Sequence, residues 1–140
     1  MIGVLTGILL WTLVEYLLHR FVFHRFAVPF RSTHPKHHVA PRDIRFLFAQ
    51  PVLVAIGSAA LILIVWLLTG SWVQTFQVIG GLWAGYLYYE SVHYRIHFAD
   101  SQGWLLRRQR HNHFQHHFVT PKSRFGVTTP LWDWVFRTTA

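Results

Sequence analysis

Cysteine is absent from the 140 residues, which excludes a disulfide framework, a thiolate metal site and a cysteine nucleophile. Imidazole and carboxylate remain as the available metal ligands. Acidic side chains are scarce too, with five Asp and Glu against thirteen Lys and Arg. In a soluble domain that excess would point to nucleic acid, so the position of the cations has to decide. Polar sequence is also short, because 52% of the residues are apolar and 17% aromatic. A chain of this length makes one domain, 1–140, and this composition suits one that meets lipid.

Three long apolar runs carry that reading: roughly Ile2 to Phe23, Phe46 to Thr69 and Trp72 to Val92. Each has about the ~20 residues of a spanning helix. Only Thr69, Gly70 and Ser71 separate the last two, which predicts a tight hairpin turning on the far side of the membrane, the side the N-terminus shares. No basic segment precedes the first run, so no cleavable signal is expected. All thirteen cations then fall on the other side, which the positive-inside rule makes cytoplasmic. The basic charge is thus a topology signal, and no nucleic-acid partner is expected. The predicted fold is all-α: about three membrane helices and a cytoplasmic helical cap. Trp66 and Trp72 on one side, and Trp104, Trp132 and Trp134 on the other, suit aromatic belts. Gly3 with Gly7, and Gly81 with Gly85, would let the first and third helices approach a neighbour closely. Pro51 reads as a first-turn proline of the second span.

Histidine is what composition alone does not explain. The groups are His19 and His24, His34-x-x-His37-His38, His93-x-x-x-His97 and His113-x-x-His116-His117, with His111 besides. The predicted topology places them all on one side of the membrane, although a whole hairpin separates the second group from the third. At about 100° per residue, positions i, i+3 and i+4 share a helix face. His93 with His97, and His113 with His116 and His117, can therefore each present rings to one point. His111 lies about 200° from His113 and points away. His19 and His24 are about 140° apart, so either the helix ends there or they serve different metals. Thr33, His34 and Pro35 read as a helix start.

Ten imidazoles exceed the needs of one metal. Shared between two ions they supply about five each, leaving an octahedral ion one open position, whereas a structural zinc is closed by four ligands. Ligand type alone does not name the metal. Glu15 lies four residues before His19, Glu90 three before His93, and Asp100 three after His97. Each is expected to accept a ring N–H and orient a ligand, and at membrane depth Glu15 and Glu90 need such a partner. Arg107, Arg108 and Arg110 are candidates for holding a lipid carboxylate or phosphate, although ordinary positive-inside charge also accounts for them.

Five stretches resemble the fatty acid hydroxylase superfamily of membrane di-iron oxygenases, which includes fatty acid 2-hydroxylases, sterol desaturases and carotenoid hydroxylases. They are Glu15 to His24, His34 to Asp43, Gly85 to His97, His113 to Phe118 and Phe125 to Thr138. Together they cover essentially the whole chain and are most similar to the fatty acid 2-hydroxylases. The resemblance implies His19, His24, His34, His37, His38, His93, His97, His113, His116 and His117 as metal ligands, with His111 spare. It implies two iron ions, with zinc as an alternative occupant on isolation, and O2 as co-substrate. Relatives commonly have four membrane helices, so one wall of a substrate tunnel is expected to be missing or supplied by a second copy in a homo-oligomer. No cytochrome b5-like domain is present in the sequence, which implies a separate electron donor, cytochrome b5-like or ferredoxin-like.

The expected activity is hydroxylation of an unactivated C–H in a fatty acid or fatty-acyl lipid, near its polar end. The membrane would be the plasma membrane in a bacterium and the endoplasmic reticulum in a eukaryote. A sterol or carotenoid hydroxylase or desaturase with the same centre is the nearest rival. A histidine-rich metal carrier would need polar spans, and Val52 to Leu68 offers only Ser58. A bis-histidine haem protein would need histidines within the spans.

Overall fold

The computed structural model describes residues 1–25, 33–100 and 103–139, in which every regular element is helical. Arg31, one of the thirteen cations, lies outside the described residues. The elements are α1 (Ile2–Leu17), a π-helical turn (Leu18–Phe23), α2 (His34–Val39), α3 (Ile44–Leu47), α4 (Pro51–Thr69), α5 (Trp72–Phe98), α6 (Trp104–Phe118) and α7 (Leu131–Val135).

Local signals set the boundaries. Pro51 occupies the first turn of α4, where a missing N–H costs nothing. Gly70 ends α4 in the left-handed region at φ 62°, and its N–H bonds to the Trp66 carbonyl. Ser71 then opens α5 by accepting a hydrogen bond from the Gln74 N–H. The expected hairpin is therefore present, with its turn at Gly70 and Ser71.

α5 is the central helix. α1 packs along it, α4 packs along it less extensively, and α1 and α4 make no extensive contact with each other. Gly7 and Gly81 set the α1–α5 approach: a Cβ at Gly7 would stand 2.1 Å from the Val78 carbonyl oxygen, and one at Gly81 2.1 Å from that of Val4. Gly85 leaves room for the Trp11 ring and Gly3 for Gln77. Both small-residue pairs thus serve packing between α1 and α5.

Ile2–Phe23 and Ile44–Thr69 are long and apolar enough to cross a membrane. α4 has no buried residue, so among the described residues much of its apolar surface is left uncovered. The third expected span is one continuous 27-residue helix but falls short of that apolarity. Its inward positions, among them Thr75, Glu90, His93 and His97, are buried. These four polar groups are thus covered by the rest of the protein. Val92 and Ile96 of α5, Leu106 of α6 and Val127 of the C-terminal tail close a small apolar core beneath the histidines.

Candidate metal centre

Four segments deliver the ten grouped histidines into two adjacent clusters. His19, His24, His34, His38 and His116 form one, and His37, His93, His97, His113 and His117 the other; within each, the candidate ligand atoms all lie within 4.8 Å of one another. The clusters touch through the His38 and His117 rings, which stack at 4.2 Å. His111 is exposed on α6 and belongs to neither.

The π-helical turn explains how His19 and His24 share a cluster. Its i→i+5 hydrogen bonding brings residues five apart onto one side, and the two rings lie 5.2 Å apart. Of the alternatives left open by the sequence, the regular helix does end, and both rings serve one cluster. α5 sends His93 and His97, one turn apart, to the second cluster. α2 and α6 each divide their histidines. His34 and His38 go one way and His37 the other; His113 and His117 go one way and His116 the other. A common point for His113, His116 and His117 is therefore corrected. His116 and His117 point about 100° apart, and α6 runs where the two clusters meet.

The ring nitrogens are spaced for a shared cation. His34 Nε2 lies 3.0 Å from His19 Nε2, 2.9 Å from His24 Nε2 and 3.0 Å from His38 Nε2. One imidazole nitrogen has a single proton or a single lone pair, so it cannot hydrogen-bond to three others. Ligands about 2.1 Å from one ion stand about 3.0 Å apart along an octahedral edge, against about 3.4 Å in a tetrahedron. His116 Nε2 to His24 Nε2, His93 Nε2 to His37 Nε2 and His97 Nε2 to His113 Nε2 are all 3.0 Å. His117 Nε2 is buried without any hydrogen-bond partner. Ten such nitrogens fit two six-coordinate ions with five donors each.

The rings are in the right protonation state. Loss of water, followed by repulsion from neighbouring cationic groups, lowers His24 to about 4 and His37 to about 3. His34 and His113 are pushed well below the ordinary value by the same burial. Neutral imidazole is the form that binds metal.

Among the described residues, backbone carbonyls and not carboxylates orient two of the rings through their second nitrogen. His19 Nδ1 donates to the Phe125 carbonyl at 2.5 Å, and His116 Nδ1 donates to that of Ser123 at 2.6 Å. A carbonyl can only accept, so each Nδ1 carries the proton and each Nε2 keeps its lone pair for a ligand. Histidine spacing gave no sign of these partners, because they come from the C-terminal tail.

The three expected carboxylate contacts are corrected. Glu15 Oε1 accepts from the Val127 and Thr128 N–H groups at 2.6 and 2.9 Å, and Oε2 accepts from the Thr128 hydroxyl at 2.5 Å. Unpaired backbone donors in a buried strand of tail compete for the charge and win it. Glu90 Oε1 accepts from the Ala49 N–H at 3.3 Å, while His93 Nδ1 has no hydrogen-bond partner. Asp100 is exposed, because α5 stops at Phe98 and Ala99 is extended, so three-residue spacing no longer places it beside His97. Sequence reasoning missed Asp133, which is buried and accepts from the Phe125 and Gly126 N–H groups at 2.8 Å and from the Thr138 hydroxyl. The signal was there in a lone acid within the apolar stretch Leu131 to Phe136. Arg107 and Arg108 are exposed. Arg110 is committed elsewhere, donating to the Arg95 and Ala99 carbonyls at the end of α5.

A cavity of about 290 Å³ fills the gap that α1 and α4 leave beside α5. Its walls are mostly apolar, with Val14, Leu53, Leu61 and Leu82 among them, and His19 and His34 also line it.

Among the described residues the regular elements are all helical, two helices are apolar enough to cross a membrane, and ten histidines converge in two groups that could hold metal, which is the pattern of a membrane protein with a histidine-rich site. The model of the fatty acid hydroxylase family matches residues 4–138, and the chain belongs to that family. It is similar to the fatty acid 2-hydroxylase of Rattus norvegicus, at 38% identity over 94% of this chain and 38% of that protein. It is also similar to the dihydroceramide fatty acyl 2-hydroxylase FAH2 of Arabidopsis thaliana, at 33% identity over 94% of this chain and 58% of that protein. Among solved structures it is similar to one described as full-length scs7p with only the hydroxylase domain visible. The TM-score is 0.86 at 32% identity, covering 98% of this chain and 55% of that one. The chain thus spans well under two thirds of the length of these relatives.

Proposed function

We propose that the chain is a membrane-bound non-haem di-iron oxygenase that hydroxylates a fatty acid or fatty-acyl lipid at a C–H near the polar end of the acyl chain. The observation that carries this reading is the apolar cavity lined in part by His19 and His34, both of the first cluster. An acyl chain lying between α1 and α4 would bring a carbon close to its head group against that cluster. The balance is RH + O2 + 2 e⁻ + 2 H⁺ → ROH + H2O, and two iron ions, when bound, would supply the oxygen activation that an unactivated C–H requires.

The chain's own residues do the rest. Five neutral imidazoles would hold each ion and leave one position free, and the Phe125 and Ser123 carbonyls keep two rings in the ligating tautomer. The apolar walls exclude water from the reacting carbon. Electrons would come from a separate donor, cytochrome b5-like or ferredoxin-like. With α1, α4 and α5 read as spans, the positive-inside rule supports a cytoplasmic position for the clusters.

The test is expression in a lipid-rich host, with profiling of its acyl chains and metal analysis of anaerobically purified protein. The expected result is 2-hydroxylated acyl chains and two iron ions per chain. Oxidised sterols or carotenoids with unmodified acyl chains would move the substrate to the rival reading, and a metal-free active protein would end the proposal.

A further inference from the structure

The C-terminal tail reaches deeper along α1 than the histidines do. Trp132 Nε1 donates to Thr12 Oγ1 at 2.9 Å, Glu15 holds Val127 and Thr128, and the Phe136 ring stacks on Tyr16 at 5.3 Å. Thr12 is seven residues before His19, about 10 Å further into the span at 1.5 Å per residue. α7 therefore lies beside the membrane-crossing part of α1. Its outer face is apolar: Leu131 is 49% exposed, Trp134 74% and Val135 47%.

From this placement we infer that α7 and the tail leading to it are inserted in the cytoplasmic leaflet, with Leu131, Trp134 and Val135 against lipid acyl chains. This rests on α1 spanning the membrane. The occupant of the apolar face is the bilayer, because Trp132 holds α7 against α1 at Thr12, one turn from the exposed Leu9 on the lipid-directed side. The backbone is prepared for it. Irregular chain survives at membrane depth only where its polar groups are satisfied within the protein. Four successive N–H groups, those of Phe125, Gly126, Val127 and Thr128, are accepted by the carboxylates of Asp133 and Glu15. Asp133 sits on α7 itself, so the inserted helix anchors the same tail that presents the Phe125 carbonyl to His19. Lipid contact at α7 is thereby joined to the geometry of the first histidine cluster.

The chain has no cysteine, so single cysteines accept a nitroxide cleanly. Leu131→Cys, Trp134→Cys and Val135→Cys would be spin-labelled in the full chain, reconstituted in phosphatidylcholine vesicles. Their collisions with O2 and with a water-soluble nickel chelate report depth. Leu9→Cys, on the exposed side of α1, marks the hydrocarbon, and Arg107→Cys, exposed on α6, marks water. The expected result is that at least two of the three α7 labels follow Leu9→Cys, with O2 favoured over nickel. Labels that follow Arg107→Cys while Leu9→Cys reads lipid overturn the insertion alone. Water at Leu9→Cys overturns the spanning reading and the insertion with it.

Discussion

Glu15 and His19 stand one helical turn apart and grip the same piece of tail without bonding to each other. Glu15 accepts the Val127 and Thr128 N–H groups, and His19 donates to the Phe125 carbonyl two residues upstream. The carboxylate therefore acts on the imidazole through the backbone between them. Asp133 holds that backbone from the other side.

Glu15→Ala should loosen the tail. It leaves the buried Val127 N–H unpaired at about 1–3 kcal/mol and the half-buried Thr128 N–H without its partner, and removes the support of the carbonyl that orients His19. Loss of such an outer partner typically costs about 10- to 100-fold in metal affinity or activity. Product formed per bound iron, measured beside thermal stability in detergent, checks both parts. Full activity per iron at reduced stability would confine Glu15 to a structural role.

His116→Ala and His111→Ala should separate cleanly. His116 is fully buried, with Nε2 3.0 Å from His24 Nε2, whereas His111 is exposed on the same helix. The first variant should lose metal from one cluster and lower turnover by at least about 100-fold, more than an outer partner costs. The second should keep both metals and most activity. Equal losses would mean that α6 presents a different face to the clusters.

How much of this was legible in the sequence depended on whether the determinant was local. His93 and His97 follow from helical periodicity, and so does the exclusion of His111. The hairpin followed from Gly70 and Ser71. The pairing of His19 with His24 did not, because a π-helical turn replaces the regular helix where the chain enters the cluster, and rings from α2 and α6 complete it. The carboxylates were read as partners of the histidines nearest in sequence. Glu15 and Glu90 instead bond to backbone 112 and 41 residues away, and no spacing encodes such contacts. Asp133 went unnoticed because its role exists only once the tail folds back onto α1.

Topology is testable without activity. Reporter fusions at Ser71 should report the outside and fusions at Ala140 the cytoplasm, since the hairpin turn carries no cation and the topology read from the sequence puts all thirteen on the side of the histidines. Equal labelling from both sides would break the common face on which the metal centre depends.

The neighbouring glycines Gly80 and Gly81 should respond in opposite directions to the same substitution. Gly81 faces α1, where an added Cβ would stand 2.1 Å from the Val4 carbonyl oxygen and 2.9 Å from the Gly7 Cα. Both are backbone atoms, so relief requires moving a whole helix, and overpacking of this kind costs about 1–3 kcal/mol. Gly80 has nothing within 4 Å of its virtual Cβ. There alanine only removes glycine's excess freedom, a gain of about 0.5–1 kcal/mol in a helix interior. Thermal unfolding in detergent should therefore place Gly81→Ala below the parent chain and Gly80→Ala at or above it. Shifting α5 off α1 would also displace His93 and His97 relative to the π-helical turn, so Gly81→Ala should lose bound metal as well. A Gly81→Ala protein as stable and as metal-rich as Gly80→Ala would show that α1 and α5 do not meet at this crossing.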